Sequence, residues 1–287
     1  MAKPVARGHL GETDVPGTEL TRRAMRRAAV AALFAPLLAT LSFPLAARAE
    51  PPTAPCDTPL ELTRLANPLP HLAQKLENGG PITIVAIGSS STAGSGASSP
   101  ANSYPSQLAL ELRKRYPNNS ITVINRGVGG EEVAQMLKRF DSSVLAFKPD
   151  LVLWQLGTNS VIRDHNLGDH GAAIRDGLKR IRAAGADAVL IDPQFAPKVI
   201  AKPEADHMVE LIASTAKAED VDLFRRFEVM KHWYKDDHLT FDAFVSRDGL
   251  HMNNWSYACL AKGLGEAIAE AAERPVLSAT NLSHLVP

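Results

Sequence analysis

From residue 82 onward the chain alternates short apolar runs with amphipathic stretches, and this alternation restricts the fold more than any other feature. The apolar runs cover residues 82–87, 121–125, 151–156, 186–191 and 221–224. They are too short for buried helices and rich in Val, Ile and Leu, as expected of strands covered on both faces. Between them lie helical patterns at 104–115, 131–140, 171–184 and 204–217, the third closed by Gly185, with a final one at 255–272. Strands that alternate with helices form parallel sheets, because a parallel connection needs a crossover long enough to hold a helix. The expectation is an α/β protein, a three-layer α/β/α sandwich around a parallel sheet.

The remaining chain gives an organisation. With 287 residues, 45% apolar and 22% charged, the composition is that of a soluble globular protein. The first 49 residues read as a signal peptide. Arg22-Arg23-Ala24-Met25-Arg26-Arg27 is basic, residues 28–41 are apolar apart from Thr40, and Ala47-Arg48-Ala49 has the small-x-small form of a cleavage site. Met25 would itself begin a compact signal, and Thr21-Arg22-Arg23 is a weak likeness to a twin-arginine signal. The apolar run is too short for an anchor and is broken by Pro36 and Pro44. Residues 50–80 read as a Pro-rich N-terminal arm, 81–275 as the catalytic domain and 276–287 as a C-terminal tail. The expected location is periplasmic or secreted, with no stable membrane anchor.

Formal net charge is zero, but the 49-residue leader holds 7 basic and 3 acidic residues, leaving 24 against 28, a net of −4. A mildly acidic body is unsuited to neutralising phosphates, so no nucleic-acid partner is expected. Both cysteines, Cys56 and Cys259, lie in the mature part. Two lone cysteines in an oxidising compartment are expected to pair. The absence of C-x-x-C argues against zinc, and neither metal nor cofactor is expected.

Four polar segments carry chemistry. Gly88-Ser89-Ser90-Ser91-Thr92 follows the first apolar run, and Asn125-Arg126-Gly127-Val128-Gly129-Gly130 follows the second. Gly157-Thr158-Asn159-Ser160 follows the third, and Asp248-Gly249-Leu250-His251 precedes the last helix. Ligands of parallel α/β sheets bind where strands end. A serine hydroxyl needs a base within hydrogen-bond reach, and the base needs a third group to fix its tautomer. Ser90, His251 and Asp248 can fill these roles. The N–H groups of Ser90 and Gly130 and the amide of Asn159 can meet a developing oxyanion. A P-loop is excluded because no Lys follows a G-x-x-x-x-G, and Gly94-Ser95-Gly96 lacks the third glycine of a dinucleotide fingerprint.

The four segments, in this order, resemble the blocks of the SGNH (GDSL-type) hydrolases and esterases: G-D-S-x-T, N-x-G-x-x-G, G-x-N-D and D-x-x-H. The resemblance implies the SGNH hydrolase fold with its flavodoxin-like strand order. It implies Ser90 as nucleophile, Asp248 and His251 as the rest of a triad, and Ser90, Gly130 and Asn159 as the oxyanion hole. Ser89 and Ser160 depart from it, each standing where the family has an aspartate. The function implied is an exported serine esterase, a carboxylic ester hydrolase working through an acyl-enzyme. The expected substrate is a small-molecule or glycan ester, first among them a short-acyl (O-acetyl) ester of a carbohydrate. Lipid or aryl-ester hydrolysis, acyl transfer, and glycan binding without turnover are the alternatives. The sequence sets no oligomeric state.

Other polar residues receive weaker readings. Asp164-His165 and Asp169-His170 read as exposed loop polarity rather than a metal or substrate site, and Asp236-Asp237-His238 as a solvated loop. Gln194-Phe195-Ala196-Pro197 either lines the substrate pocket or packs as an ordinary loop. Trp154 reads as core, and Trp233 and Tyr234 as packing rather than a sugar platform. Residues 95–102 and 160–170 are small or polar, which predicts an open site for short acyl groups. Only Phe195, Val199, Ile200, Phe241 and Phe244 could build an apolar wall for a long chain.

Overall fold

The computed structural model describes Cys56 and residues 58–275. The expected signal peptide and C-terminal tail lie outside the described residues. The strands are β1 (Ile82–Gly88), β2 (Ile121–Gly127), β3 (Leu151–Gln155), β4 (Asp187–Ile191) and β5 (Asp222–Phe224), all parallel, in the order β2-β1-β3-β4-β5. This is the flavodoxin-like order, and its switch point lies between β1 and β3. In register, Ile84–Ile87 pairs with Leu151–Trp154 across that point. β3 is buried along its whole length and β1 nearly so, whereas β2, at the sheet edge, is partly or fully exposed at every residue after Ile121.

The helices, in chain order, are α1 (Leu60–Thr63), α2 (Pro70–Asn78), α3 (Ser90–Ala93), α4 (Tyr104–Arg115), α5 (Val133–Lys138), α6 (Phe140–Ser143) and α7 (Thr158–Ile162). They continue with α8 (His170–Ala183), α9 (Pro197–Ile200), α10 (Ala205–Ala218), α11 (Arg226–Lys235), α12 (Phe241–Phe244) and α13 (Asn254–Glu273). One reading needs correction. The helix expected at 131–140 is two, α5 and α6, because Arg139 leaves helical geometry between them. α11 corresponds to no pattern read from the sequence; its N-terminal turn is fixed by tertiary bonds at Arg226 and Phe227. After β1, Ser90–Ala93 closes one helical turn.

Trp154 lies fully buried beside Phe140 of α6 at a ring-centroid distance of 5.2 Å, with Met136 of α5 and Gly177 of α8 also against it. Trp233 is also core, packed edge-on against Phe244 and Trp255, so the packing expectation holds. Leu65, Leu69 and Leu72 join the same core. Cys56 and Cys259 form a disulfide with Cα atoms 5.2 Å apart, tying residue 56 to α13.

At the N-terminal ends of the strands, three aspartates grip backbone N–H groups. Asp150 accepts from Thr83 at 2.8 Å, Asp187 from Leu72 at 2.9 Å and Asp222 from Asn67 at 2.8 Å. Burial raises the carboxyls of Asp187 and Asp222, the latter to about 6, despite these bonds. The opposite, C-terminal end of the sheet receives all four polar segments.

Candidate active site

The switch point brings Ser90, the oxyanion candidates and the His251 loop together. Gly88 ends β1 with no room for a side chain: a Cβ there would lie 2.2 Å from Thr92 Oγ1 and 2.9 Å from Gln155 Cβ. Ser90 then opens α3, with its hydroxyl toward the loop before α13. Asn125 on β2 steadies α3, donating from Nδ2 to the Thr92 carbonyl at 2.7 Å while its Oδ1 accepts from Gly127 N–H.

The His251 loop is a tight hairpin closed by an antiparallel bridge between Val245 and Met252. Ser246 N–H donates to the His251 carbonyl at 2.7 Å, and Asn253 caps α13 reciprocally with Ser256. Within the hairpin, Asp248 Oδ1 accepts from Ser246 Oγ and from the N–H groups of Leu250 and His251, at 2.7, 2.9 and 2.9 Å. Its Oδ2 faces His251 Nδ1 at 2.5 Å. Desolvation pushes this carboxyl up, but the bonds from His251, Ser246 and Leu250 outweigh it and hold Asp248 well below the usual range. His251 Nε2 stands 2.7 Å from Ser90 Oγ. The structure thus joins Ser90, His251 and Asp248 in one hydrogen-bonded chain, in the pairing expected from the sequence. An imidazole held in this way can take a hydroxyl proton and be steadied as a cation.

Gly130 adopts φ +79°, a left-handed geometry that favours glycine. Among the described residues its N–H has no hydrogen-bond partner. Asn159, 6% exposed, lies in α7 directly after β3 and donates one amide N–H to the Glu131 carbonyl at 2.9 Å, which leaves its second N–H uncommitted. Ser90, at the first position of α3, presents the third N–H.

The two departures from the family blocks acquire local explanations. Ser89 N–H and Oγ both donate to Gln155 Oε1 at 3.0 Å, so an amide of β3 holds the turn. Ser160 donates to Glu132 Oε2 at 2.9 Å, so the residue that replaces the aspartate is itself tied to a carboxylate of the neighbouring loop. Glu132 also accepts from Arg163 at 2.8 Å and meets His165 Nδ1 at 3.0 Å. Burial pushes its carboxyl up; the contacts with His165, Arg163 and Ser160 prevail and leave it lowered.

His165 is exposed, as loop polarity implies, yet it and His170 both join this cluster, since His170 Nε2 also reaches Ser160 Oγ at 2.7 Å. Glu132 was not singled out in the sequence; its place two residues after the last glycine of the second block was the available signal. Of the two readings left open for Gln194, loop packing is the one the structure favours: the residue is fully buried. Of the apolar-wall candidates, Val199 and Phe244 are 0% exposed and Phe195 is 8% exposed, packed against Phe227, Tyr234 and Phe241. Only Ile200, at 38%, is substantially exposed. Asp236 and Asp237 both pair with His232, consistent with a solvated loop.

The fold and this geometry define a parallel α/β protein with a Ser–His–Asp chain at the C-terminal edge of its sheet. Residues 55–274 match the family model of the non-GDSL lipase-like family, and the chain belongs to that family. The description non-GDSL agrees with Ser89 in place of the aspartate of G-D-S-x-T and leaves the narrower SGNH/GDSL label without direct support. A stretch of 56 residues is 38% identical to an acetylxylan esterase of Geobacillus stearothermophilus, over 20% of this chain and 26% of that protein. The match therefore spans about a quarter of the curated relative's length.

Among solved structures, the chain is similar to a two-domain esterase active on acetylated mannans, with TM-score 0.65 and 17% identity. That match covers 78% of this chain and 59% of the esterase. It is also similar to a crystal structure of an acetylxylan esterase from Geobacillus stearothermophilus, with TM-score 0.57 and 20% identity, over 68% of this chain and 97% of that one. At these identities the likeness is one of fold.

Proposed function

We propose that the protein is an exported carboxylic ester hydrolase that removes acetyl groups from an O-acetylated carbohydrate. The observation that carries this reading is the chain from Asp248 through His251 to Ser90, with His251 Nε2 2.7 Å from the serine oxygen. His251 takes the Ser90 proton as Oγ attacks the acyl carbon. The tetrahedral oxyanion is met by the N–H groups of Ser90 and Gly130 and the free amide N–H of Asn159. Collapse breaks the ester C–O bond, and His251 returns the proton to the departing sugar hydroxyl. Water then attacks the acetyl-enzyme with His251 again as base, releasing acetate and restoring Ser90.

The four blocks serve here as they do in SGNH esterases, with Ser89 and Ser160, in place of the two aspartates, held by Gln155 and Glu132. The substrate class rests on two supports. The surroundings of Gly130 and Asn159 are polar, since Arg163 Nη2 lies 3.1 Å from where a Gly130 Cβ would be and Arg163 Nη1 donates to Glu132. The relatives reported above carry names of esterases acting on acetylated xylan and mannan. Export is supported by the disulfide and by the leader read from the sequence. Among the described residues no helix is long and apolar enough to cross a membrane.

The test is active-site labelling with a fluorophosphonate, followed by acetate release from acetylated xylo- and manno-oligosaccharides. Labelling at Ser90 with acetate release is the expected result. An unlabelled, inactive protein that still binds the oligosaccharide points instead to a glycan-binding module.

A further inference from the structure

The mechanism leaves unused a set of buried polar side chains beneath the three catalytic loops. Gln155 is 1% exposed, Thr158 4% and Gln194 0%. Amides and hydroxyls at such depth are costly unless hydrogen-bonded, so their bonds identify what they hold. Gln155 Oε1 accepts both donors of Ser89, the residue before the nucleophile. Its Nε2 reaches Thr158 Oγ1 over a longer 3.5 Å. Thr158, the residue before Asn159, donates its hydroxyl to Gln194 Oε1 at 2.9 Å. Gln194 Nε2 then donates to the carbonyl of Leu250, the residue before His251, at 3.1 Å.

Each contact falls one residue before a member of the active site, on three different loops. The members come from the ends of β1 and β3 and from the hairpin before α13, and no continuous element joins them. We infer that Gln155, Thr158 and Gln194 form a positioning relay that fixes the nucleophile turn, the oxyanion amide and the histidine hairpin relative to one another. Thr158 is its central member, because its one hydroxyl faces the amides on both sides. The inference rests on the ester-hydrolase reading for its kinetic consequence and on geometry alone for its structural one.

The test uses the full chain with Thr158→Val, nearly isosteric but without the hydroxyl, and Thr158→Ser, which keeps it. A displacement of catalytic groups by a fraction of an ångström to 1 Å costs on the order of 10- to 100-fold in rate. Thr158→Val should therefore lower kcat by at least about 10-fold with KM within about twofold, and Thr158→Ser should restore most of it. Gln194→Met should act as Thr158→Val does and replaces it if the valine variant fails to fold.

An activity-independent measurement is the low-field proton resonance of the His251 imidazole N–H that faces Asp248. It should move in Thr158→Val and return in Thr158→Ser. Wild-type turnover together with an unchanged kcat and an unmoved resonance in Thr158→Val overturns the relay alone. So does a serine variant as impaired as the valine one. A protein without ester turnover whose resonance still follows the hydroxyl upholds the relay and overturns the ester reading.

Discussion

Removing the Cys56–Cys259 bridge, by Cys56→Ala or by reduction, tests how the ends of the domain are held. The cysteines are 203 residues apart in sequence. Loop-closure entropy for a loop of that size stabilises the fold by at most about 5 kcal/mol at 25 °C, through the unfolded chain it restricts. Measured bridges more often contribute about 2–4 kcal/mol. For a domain of this size each kcal/mol moves Tm by about 2–4 °C, so the expected fall is about 10 °C. The folded state should survive, because Leu65, Leu69 and Leu72 stay in the core and Arg274 still donates to the Leu65 and Ala66 carbonyls. Turnover at 25 °C should accordingly change by less than about twofold. The assay is a thermal melt of the oxidised, reduced and Cys56→Ala proteins, with the bridge in the first verified by mass spectrometry. A fall under about 3 °C with the bond present would falsify the entropic argument.

Ser90→Ala should reduce ester hydrolysis by about 10⁴-fold or more without unfolding the protein, measured as acetate release and thermal midpoint. Retained turnover in that variant with loss in Ser91→Ala would relocate the nucleophile. Asn159→Ala should lower kcat by roughly 10²- to 10³-fold and leave KM nearly unchanged, because an oxyanion donor acts as charge develops; a pure KM effect recasts it as a substrate-binding residue. Asp222 binds its proton more tightly folded than unfolded, with its carboxyl at about 6 in the fold. Its contribution to stability is therefore complete below about pH 4 and lost as pH rises through about 6. Asp222→Asn should remove that slope in denaturant titrations at successive pH values, and an unchanged slope refutes the assignment.

Much of the fold was legible because the central strands are simple. The runs that became β1 and β3 are apolar on both faces, and nothing but a covered parallel sheet satisfies that pattern. The residues of the candidate site were legible because each lies at the end of such a run or next to the last helix. What escaped was set by contacts distant in sequence. α11 begins on Arg226 and Phe227, which bond to the main chain and side chain of Asp192. Arg226 at full burial reads in a sequence as a surface charge. Glu132 looked like any acidic loop residue until its carboxylate met Ser160, Arg163 and His165. Gln155 did carry a signal. An amide inside the run 151–156 needs buried partners, and that requirement is readable without coordinates.

The three aspartates at the floor of the sheet take hold of main-chain N–H groups on Asn67, Leu72 and Thr83. A grip on the peptide unit is blind to the side chain it belongs to. Asn67 can therefore be exchanged for most residues other than proline without loosening this clasp. Asp222 cannot be exchanged for any residue that lacks an acceptor of the same reach. In a saturation library the two ends of a single hydrogen bond should thus behave oppositely, one permissive and one strict, and a map of tolerated substitutions would mark out the donor side and the acceptor side of the floor.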